Sequence, residues 1–428
     1  MKTCIIGAGA SGIATAKVFA ERGIDFDWFE MGSDIGGNWR YNNDNGRSAA
    51  YDSLHIDTSK ERMAYSDFPM PADYPAYPHH SQVFDYFNAY VDHFQLRDRV
   101  TFNTEVVSVV SVADGGWNVR VRRDGTESTA EYGAVLVANG HHWNPRVPEF
   151  PGMFAGESIH SRSYRSPDDL RGKRVLVLGI GNSGSEIACD LVGVASEVFL
   201  ASRRGAHIIP RYLFGRPVDT FTSEAGSKIP FPLTRAVYQV LLWLARGRQT
   251  GSGIAVPDHK LLSEHPTLSQ DLLKHARAGA VVGKPNIDRF EGDTVHFVDG
   301  TSAEVDVIIF ATGYQITFPF LDASIIDPTD NQVELYQSVI PPDHRGLYFI
   351  GLIQPLGAIM PLAELQAKWV ANLIEGGPLP SAEEMHHAID ANRQALAERY
   401  VESPRHTIQV DFFPYKQTME REIAASEP

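Results

Sequence analysis

Gly7-Ala8-Gly9-Ala10-Ser11-Gly12 comes directly after the apolar run Cys4-Ile5-Ile6, and Gly179-Ile180-Gly181-Asn182-Ser183-Gly184 directly after Arg174-Val175-Leu176-Val177-Leu178. Each is a GxGxxG string between an apolar run of strand character and an Ala-containing helical stretch. That context gives the pattern its meaning as a dinucleotide-binding turn. The first glycine permits a tight turn, the second lets backbone approach a pyrophosphate, and the third lets the helix lie close to the strand. The pyrophosphate then faces unpaired N–H groups and the positive end of the helix dipole. Two such turns predict two dinucleotides, and two dinucleotides on one chain imply electron transfer between them.

The strand downstream of each string separates the two ligands. After the first, Phe26-Asp27-Trp28-Phe29 ends at Glu30. A carboxylate there accepts from a free ribose 2′-OH and repels a 2′-phosphate. After the second, Glu197-Val198-Phe199-Leu200-Ala201 ends at Ser202-Arg203-Arg204, with no acid. Forked, charge-assisted guanidinium donors suit a 2′-phosphate. The first site therefore reads as FAD (or NAD) and the second as NADP(H).

Composition bounds the alternatives. A chain of 428 residues has room for two or three domains, and its net charge of −15 argues against non-specific nucleic-acid binding. The two cysteines, Cys4 and Cys189, form no CxxC pair, which disfavours a dithiol relay. Scarce thiols, and a first strand beginning close to Met1, give the expectation of a cytoplasmic protein without a leader. No apolar run reaches transmembrane length. The nearest, Ala236 to Ala245, is flanked by Arg235, Arg246 and Arg248. It reads as a helix buried in a pocket wall, lid or subunit interface, with membrane-surface contact as the other reading.

Along the chain, Val135-Leu136-Val137-Ala138-Asn139-Gly140 and Val305 to Gly313 are apolar strands ending in glycine, where the chain is expected to cross between domains. The expected fold is α/β: two doubly wound, Rossmann-like dinucleotide-binding domains. The NADPH-binding domain, 154–308 with a helical insertion at 206–275, would sit inside a discontinuous FAD-binding domain of 1–153 and 309–428. Ser381 and Glu384 spell a capping box for a last helix. The pairs His79-His80 and His141-His142 lack the i, i+4 spacing of helical metal sites, so no metal is expected.

Phe154-Ala155-Gly156-Glu157-Ser158-Ile159-His160-Ser161-Arg162-Ser163-Tyr164-Arg165 matches FxGxxxHxxxY(K/R) just before the second fingerprint. With Gly36-Gly37-Asn38-Trp39-Arg40, Phe310-Ala311-Thr312-Gly313-Tyr314 and Gly351 to Gly357, it makes the chain resemble the flavin-containing monooxygenases over residues 1 to about 376. It looks like a bacterial-type member without the membrane anchor of the animal enzymes, and a homodimer is common among such relatives. The resemblance implies FAD, NADPH and O₂, with a small-molecule substrate. Flavin reduced by NADPH forms a C4a-hydroperoxide, which oxygenates an amine nitrogen or sulfide sulfur. The cofactors carry the chemistry, so no nucleophile–His–acid spacing is needed.

Residue by residue, the resemblance puts Gly7, Gly9, Ala10, Ser11, Gly12, Glu30, Gly37, Asn38 and Trp39 at FAD. It puts Gly179, Gly181, Asn182, Ser183, Gly184, Ser202, Arg203 and Arg204 at NADPH. The loop holding His55, Asp57 and Thr58 would run beside the flavin, and Thr312, Gly313 and Gln354 complete the cofactor set. His160 reads as a structural hydrogen-bonding residue. Asp57 is the catalytic candidate and also a departure, because typical members carry Asn there, and an ionised carboxylate cannot donate to a peroxide. Related Baeyer–Villiger enzymes tend to carry Asp near this position, so ketone oxygenation is the alternative; their string, however, has Trp in place of Tyr164. An NADPH oxidase or flavin reductase is the third reading.

Overall fold

The computed structural model describes residues 2–113, 115–227, 229–399 and 407–427. The chain divides into two units, Met1–Ala50 with Thr58–Asn144 and Gln315–Pro428, and Tyr51–Asp57 with Pro145–Tyr314. The second unit is wider than the expected 154–308 for identifiable reasons. Gly152–Phe154 pairs with the strand Ile287–Gly292, and Val307–Phe310 is hydrogen-bonded between Glu157–His160 and Arg174–Leu178.

The first unit is built on a five-stranded parallel sheet. Its order is Leu347–Phe349, Ala134–Val137, Thr3–Ile6, Phe26–Phe29, Val100–Thr101. Cys4 stands opposite Asp27 on one side and Val135 on the other. Thr3–Ile6 and Ala134–Val137 are buried along their whole length, as strands covered on both faces must be. The helix Ala10–Arg22 begins at the fingerprint and stops at Gly23, whose φ of 69° provides a left-handed cap. Helix Met360–Ile374 packs along it. A three-stranded antiparallel sheet, Thr104–Ser111, Trp117–Arg123 and Thr126–Tyr132, completes this core through Val109, Trp117, Val119 and Tyr132.

The second unit repeats the plan. Its parallel sheet runs Glu157–His160, Val307–Phe310, Arg174–Leu178, Glu197–Ala201, Val282–Lys284. Helix Asn182–Asp190 starts within the second fingerprint. The 206–275 segment is less helical than its sequence suggests. It holds short strand pairs, one long helix at Phe231–Arg246, a turn of helix at Leu272–Arg277 and irregular backbone between them. Gly247, Gly251, Gly253, Pro257 and Pro266 punctuate that stretch and stop helix propagation. Ser381 and Glu384 do exchange capping bonds, but Phe412–Ala425 is a further helix beyond the one they start.

Both fingerprints are locked by the same contact. A Cβ on Gly12 would lie 1.9 Å from the Gly7 carbonyl oxygen, and a Cβ on Gly184 would lie 1.9 Å from that of Gly179. The helix thus rests on the turn that starts it. Gly9 differs, because a Cβ there meets nothing nearer than 3.6 Å. Its missing side chain leaves room outside the protein rather than within it. Gly12→Ala is therefore expected to destabilise the chain by about 3 kcal/mol in urea unfolding. Gly9→Ala should leave the unfolding midpoint unchanged while weakening flavin retention. Equal loss of stability in both variants would contradict this assignment.

Candidate active site

In the first unit, the carboxyl ends of the parallel strands open onto a cavity of about 330 Å³. Gly7, Gly9, Ala10 and Ser11 line it, as do Glu30, Gly37, Asn38, Trp39 and Gln354. Gly12 lies beneath, in the helix contact. Glu30 is buried at the end of its strand. Its Oε2 accepts from the Ala8 N–H at 2.8 Å, and its Oε1 accepts from the Gly32 N–H at 2.7 Å and from Asn45 Nδ2 at 3.0 Å. A carboxylate has about four acceptor positions, so about one is left for a ribose hydroxyl. Asn38 is spent on structure: its Oδ1 accepts from the Ala49 N–H and its carbonyl from Ser48 Oγ, both at 2.8 Å. Thr58 donates to the carbonyl of Gly357, a lining residue, at 3.4 Å, but does not itself line the cavity.

Three lining residues escape a motif-based reading. His141, His142 and Trp143 come just after the strand-ending Asn139-Gly140, and the Arg47 guanidinium stacks 4.2 Å over Trp143. Burial, reinforced by His142, holds the His141 imidazole well below its ordinary value of 6.5, so it is neutral at neutral pH. Its Nε2 is buried without a hydrogen-bond partner among the described residues. An orphaned donor or acceptor in the wall is costly unless a ligand meets it. The open cradle at Gly9, the acceptor on Glu30 and this orphaned nitrogen together fit a flavin dinucleotide. The signal available in the sequence is position alone: residues just past a strand's carboxyl end face the ligand side of such sheets.

The second unit carries the other fingerprint and, with it, His55, Asp57, Thr312 and Gly313. Asp57 is at the centre of a charged cluster. Its Oδ1 accepts from Arg211 Nη2 at 2.9 Å and its Oδ2 from Asn182 Nδ2 at 2.8 Å. Arg211 also pairs with Glu186, whose other oxygen accepts from the Tyr51 hydroxyl. Burial raises the Asp57 pKa, while Arg211 and the Asn182 amide work against that rise. Both carboxylate oxygens act as acceptors, the bonding pattern of an ionised group. Asn182 Oδ1 is also taken, by the Leu268 N–H at 2.9 Å. Its side chain holds the site together from both ends.

At the far end of this site Ser202 is buried, and its N–H donates to the Lys284 carbonyl at 3.2 Å. Arg203 is exposed, whereas Arg204 pairs with Glu264 at 3.5 Å. The two guanidiniums, equivalent in sequence, are therefore not equivalent in structure. His160 accepts from the Arg162 N–H at Nδ1, 3.1 Å, which leaves Nε2 to donate to the Gly313 carbonyl at 3.1 Å. Neither nitrogen remains for proton transfer, in keeping with a structural part. Tyr164 is buried edge-on to Tyr51 and donates to Asp190 at 3.4 Å. The Thr312 hydroxyl donates to the Arg146 carbonyl. His55 Nδ1 meets the Ser53 carbonyl at 2.8 Å.

The family model described as flavin-binding monooxygenase-like matches residues 1–428. The chain belongs to that family. Flavin-containing monooxygenase 5 of Mus musculus is 42% identical over 442 residues, covering 99% of this chain and 82% of the relative. Dimethylaniline monooxygenase [N-oxide-forming] 2 of Pan troglodytes is 37% identical over 443 residues, covering 99% and 83%. Among solved structures, the S-allyl-L-cysteine S-oxygenase of Allium sativum superposes with a TM-score of 0.75 at 28% identity, covering 100% of this chain and 89% of that one. The protein is thus a flavin-dependent monooxygenase of two Rossmann-type units. Among the described residues, no helix is long and apolar enough to cross a membrane.

Proposed function

We propose that the protein is an NADPH- and O₂-dependent monooxygenase that oxygenates a soft nucleophile, an amine nitrogen or a sulfide sulfur. The opposite chemistry at the two strand ends carries the reading: Glu30 is a buried acceptor, and Arg203 is an exposed cation beside Ser202. FAD belongs at the first fingerprint and NADPH at the second. When bound, the flavin supplies the redox chemistry and the activation of O₂. The residues of the chain bind, orient and exclude water. Gly9 and the helix N-terminus at Ala10 and Ser11 receive one pyrophosphate, and Gly181 and Ser183 the other. Gln354, Thr312 and Gly313 belong to the cofactor set on family resemblance. Relatives named for N-oxide formation and for S-oxygenation support a heteroatom substrate.

Asp57 is a positioning residue in this reading. It fixes the Asn182 amide and balances Arg211, so the nicotinamide dinucleotide meets an ordered wall. No feature of the described residues of the second unit favours ketone oxygenation over heteroatom oxygenation, since the Asp57 carboxylate is already committed to Arg211 and Asn182.

A charge-assisted hydrogen bond contributes roughly 1.5–3 kcal/mol. Arg203→Ala should therefore weaken NADPH about tenfold or more while leaving NADH nearly unchanged. Arg204→Ala should do less, because Glu264 already holds that side chain. Equal losses for both coenzymes in steady-state kinetics would refute the 2′-phosphate assignment. The substrate class is tested by mass spectrometry of products from a tertiary amine, a thioether and a cyclic ketone, with H₂O₂ measured in parallel. N-oxide or sulfoxide is expected; lactone as the main product would overturn the proposal. In the same assay Asp57→Asn sets an amide N–H₂ against that of Asn182 and should raise the H₂O₂ share about fivefold. An unchanged share would remove Asp57 from the site.

A further inference from the structure

The strand Glu197–Ala201 ends on Ser202-Arg203-Arg204 and delivers no acid of its own, yet the fold brings one to that place. Glu264 comes from the 206–275 segment, far along the chain. Just after it, the Thr267 hydroxyl donates to the Ile180 carbonyl inside the second fingerprint at 2.5 Å, and the Leu268 N–H donates to Asn182 Oδ1 at 2.9 Å. Thr267–Leu268 also pairs in parallel with Ile208–Ile209. The backbone that carries Glu264 is thus fastened to the dinucleotide turn itself. From there the side chain reaches the neighbouring strand end, where its Oε1 stands 3.5 Å from Arg204 Nη2.

The Glu264 side chain is only 14% exposed, against 32% for Arg204. Its Oε2 is 3.7 Å from His259 Nε2, beyond hydrogen-bonding reach, and His259 Nδ1 is turned to the exposed Asp258 at 3.2 Å. Among the described residues the Glu264 carboxylate accepts no hydrogen bond, so charge is all that it exchanges with Arg204. Glu30, by contrast, spends three acceptor positions on its surroundings. A largely buried carboxylate with its acceptor positions unspent is costly to keep unless something donates to it. A ribose 2′-OH is such a donor, whereas a carboxylate repels a 2′-phosphate.

We propose that Glu264 is a coenzyme-specificity residue: it accepts from the 2′-OH of a nicotinamide dinucleotide that lacks the 2′-phosphate, and it opposes the 2′-phosphate of NADPH. The proposal rests on the assignment of the nicotinamide dinucleotide to this fingerprint. The site then has two determinants of opposite sign. Arg203 is exposed and has no acidic partner among the described residues, so it draws the phosphate and NADPH stays preferred. Glu264 neutralises Arg204 and serves the hydroxyl, so NADH is admitted rather than shut out. The second unit thereby has the kind of acid that Glu30 is in the first, delivered by a different segment.

Steady-state kinetics of the FAD-loaded protein with both coenzymes tests this. Glu264→Gln keeps the shape, removes the charge and leaves a weaker acceptor. Its KM should fall about fivefold for NADPH and rise about threefold for NADH, so the preference between them widens about fifteenfold. A damaged fold would move both coenzymes in one direction, and opposite signs are therefore the signature. On the unaltered protein, 2′-deoxy-NADH lacks the donating hydroxyl and should have a KM about fivefold above that of NADH. That comparison needs no substitution, and equal values overturn the proposal by themselves. Arg203→Ala separates the proposal from the assignment beneath it. If that variant weakens NADPH alone while Glu264→Gln shifts neither coenzyme, or both alike, the role of Glu264 is overturned and the NADPH assignment stands. If Arg203→Ala weakens both coenzymes equally, the assignment fails and the proposal with it.

Discussion

Each half of this molecule depends on one close approach, that of a helix's first turn onto the carbonyl of the glycine that opens the fingerprint. With no Cβ at Gly12 or Gly184, the helix settles against the turn, and its free N–H groups face outward at the strand's carboxyl end. The parallel sheet then fixes what stands beside that end. In the first unit it is Glu30, held by the Ala8 N–H of the fingerprint itself. In the second it is Ser202 and Arg203. In the proposed reading, ligand choice follows from which charge the neighbouring strand delivers, on two otherwise similar frames.

The two units spend their polar groups differently. The first keeps an acceptor position on Glu30 and an orphaned nitrogen on His141 facing a cavity. The second ties its polar groups to one another: Asp57 and Glu186 share Arg211, Asn182 donates to Asp57, and Tyr51 to Glu186. Two carboxylates sharing one guanidinium are stabilised only while all three stay in place, because an unpaired buried charge is expensive. That coupling ties Arg211, from the 206–275 segment, to the helix of the second fingerprint.

Local patterns explain what is legible in the sequence. The fingerprints, the strands feeding them, Glu30 and the arginine pair are all set by short spacing, and the structure puts them at the strand ends. The Asp57–Arg211 pair is not legible, since its partners lie far apart in sequence and no periodicity links them. The same holds for Glu264, which distinguishes Arg204 from Arg203. His141 and His142 lack metal spacing and so look unremarkable as a pair, whereas the importance of His141 comes from the strand that ends just before it. The helix Phe231–Arg246 reads as buried because its sequence is apolar all round, yet one face stays open. Composition reports that a face is apolar and is silent about whether the rest of the chain covers it.

The central claim is that one polypeptide holds a flavin and receives electrons for it from a phosphorylated nicotinamide. Anaerobic stopped-flow absorbance measures this directly. The flavin-loaded protein should lose its visible flavin band within one exponential phase on mixing with NADPH, and far more slowly with NADH at the same concentration. A protein that retains no flavin, or whose bound flavin stays oxidised under NADPH, would contradict the account.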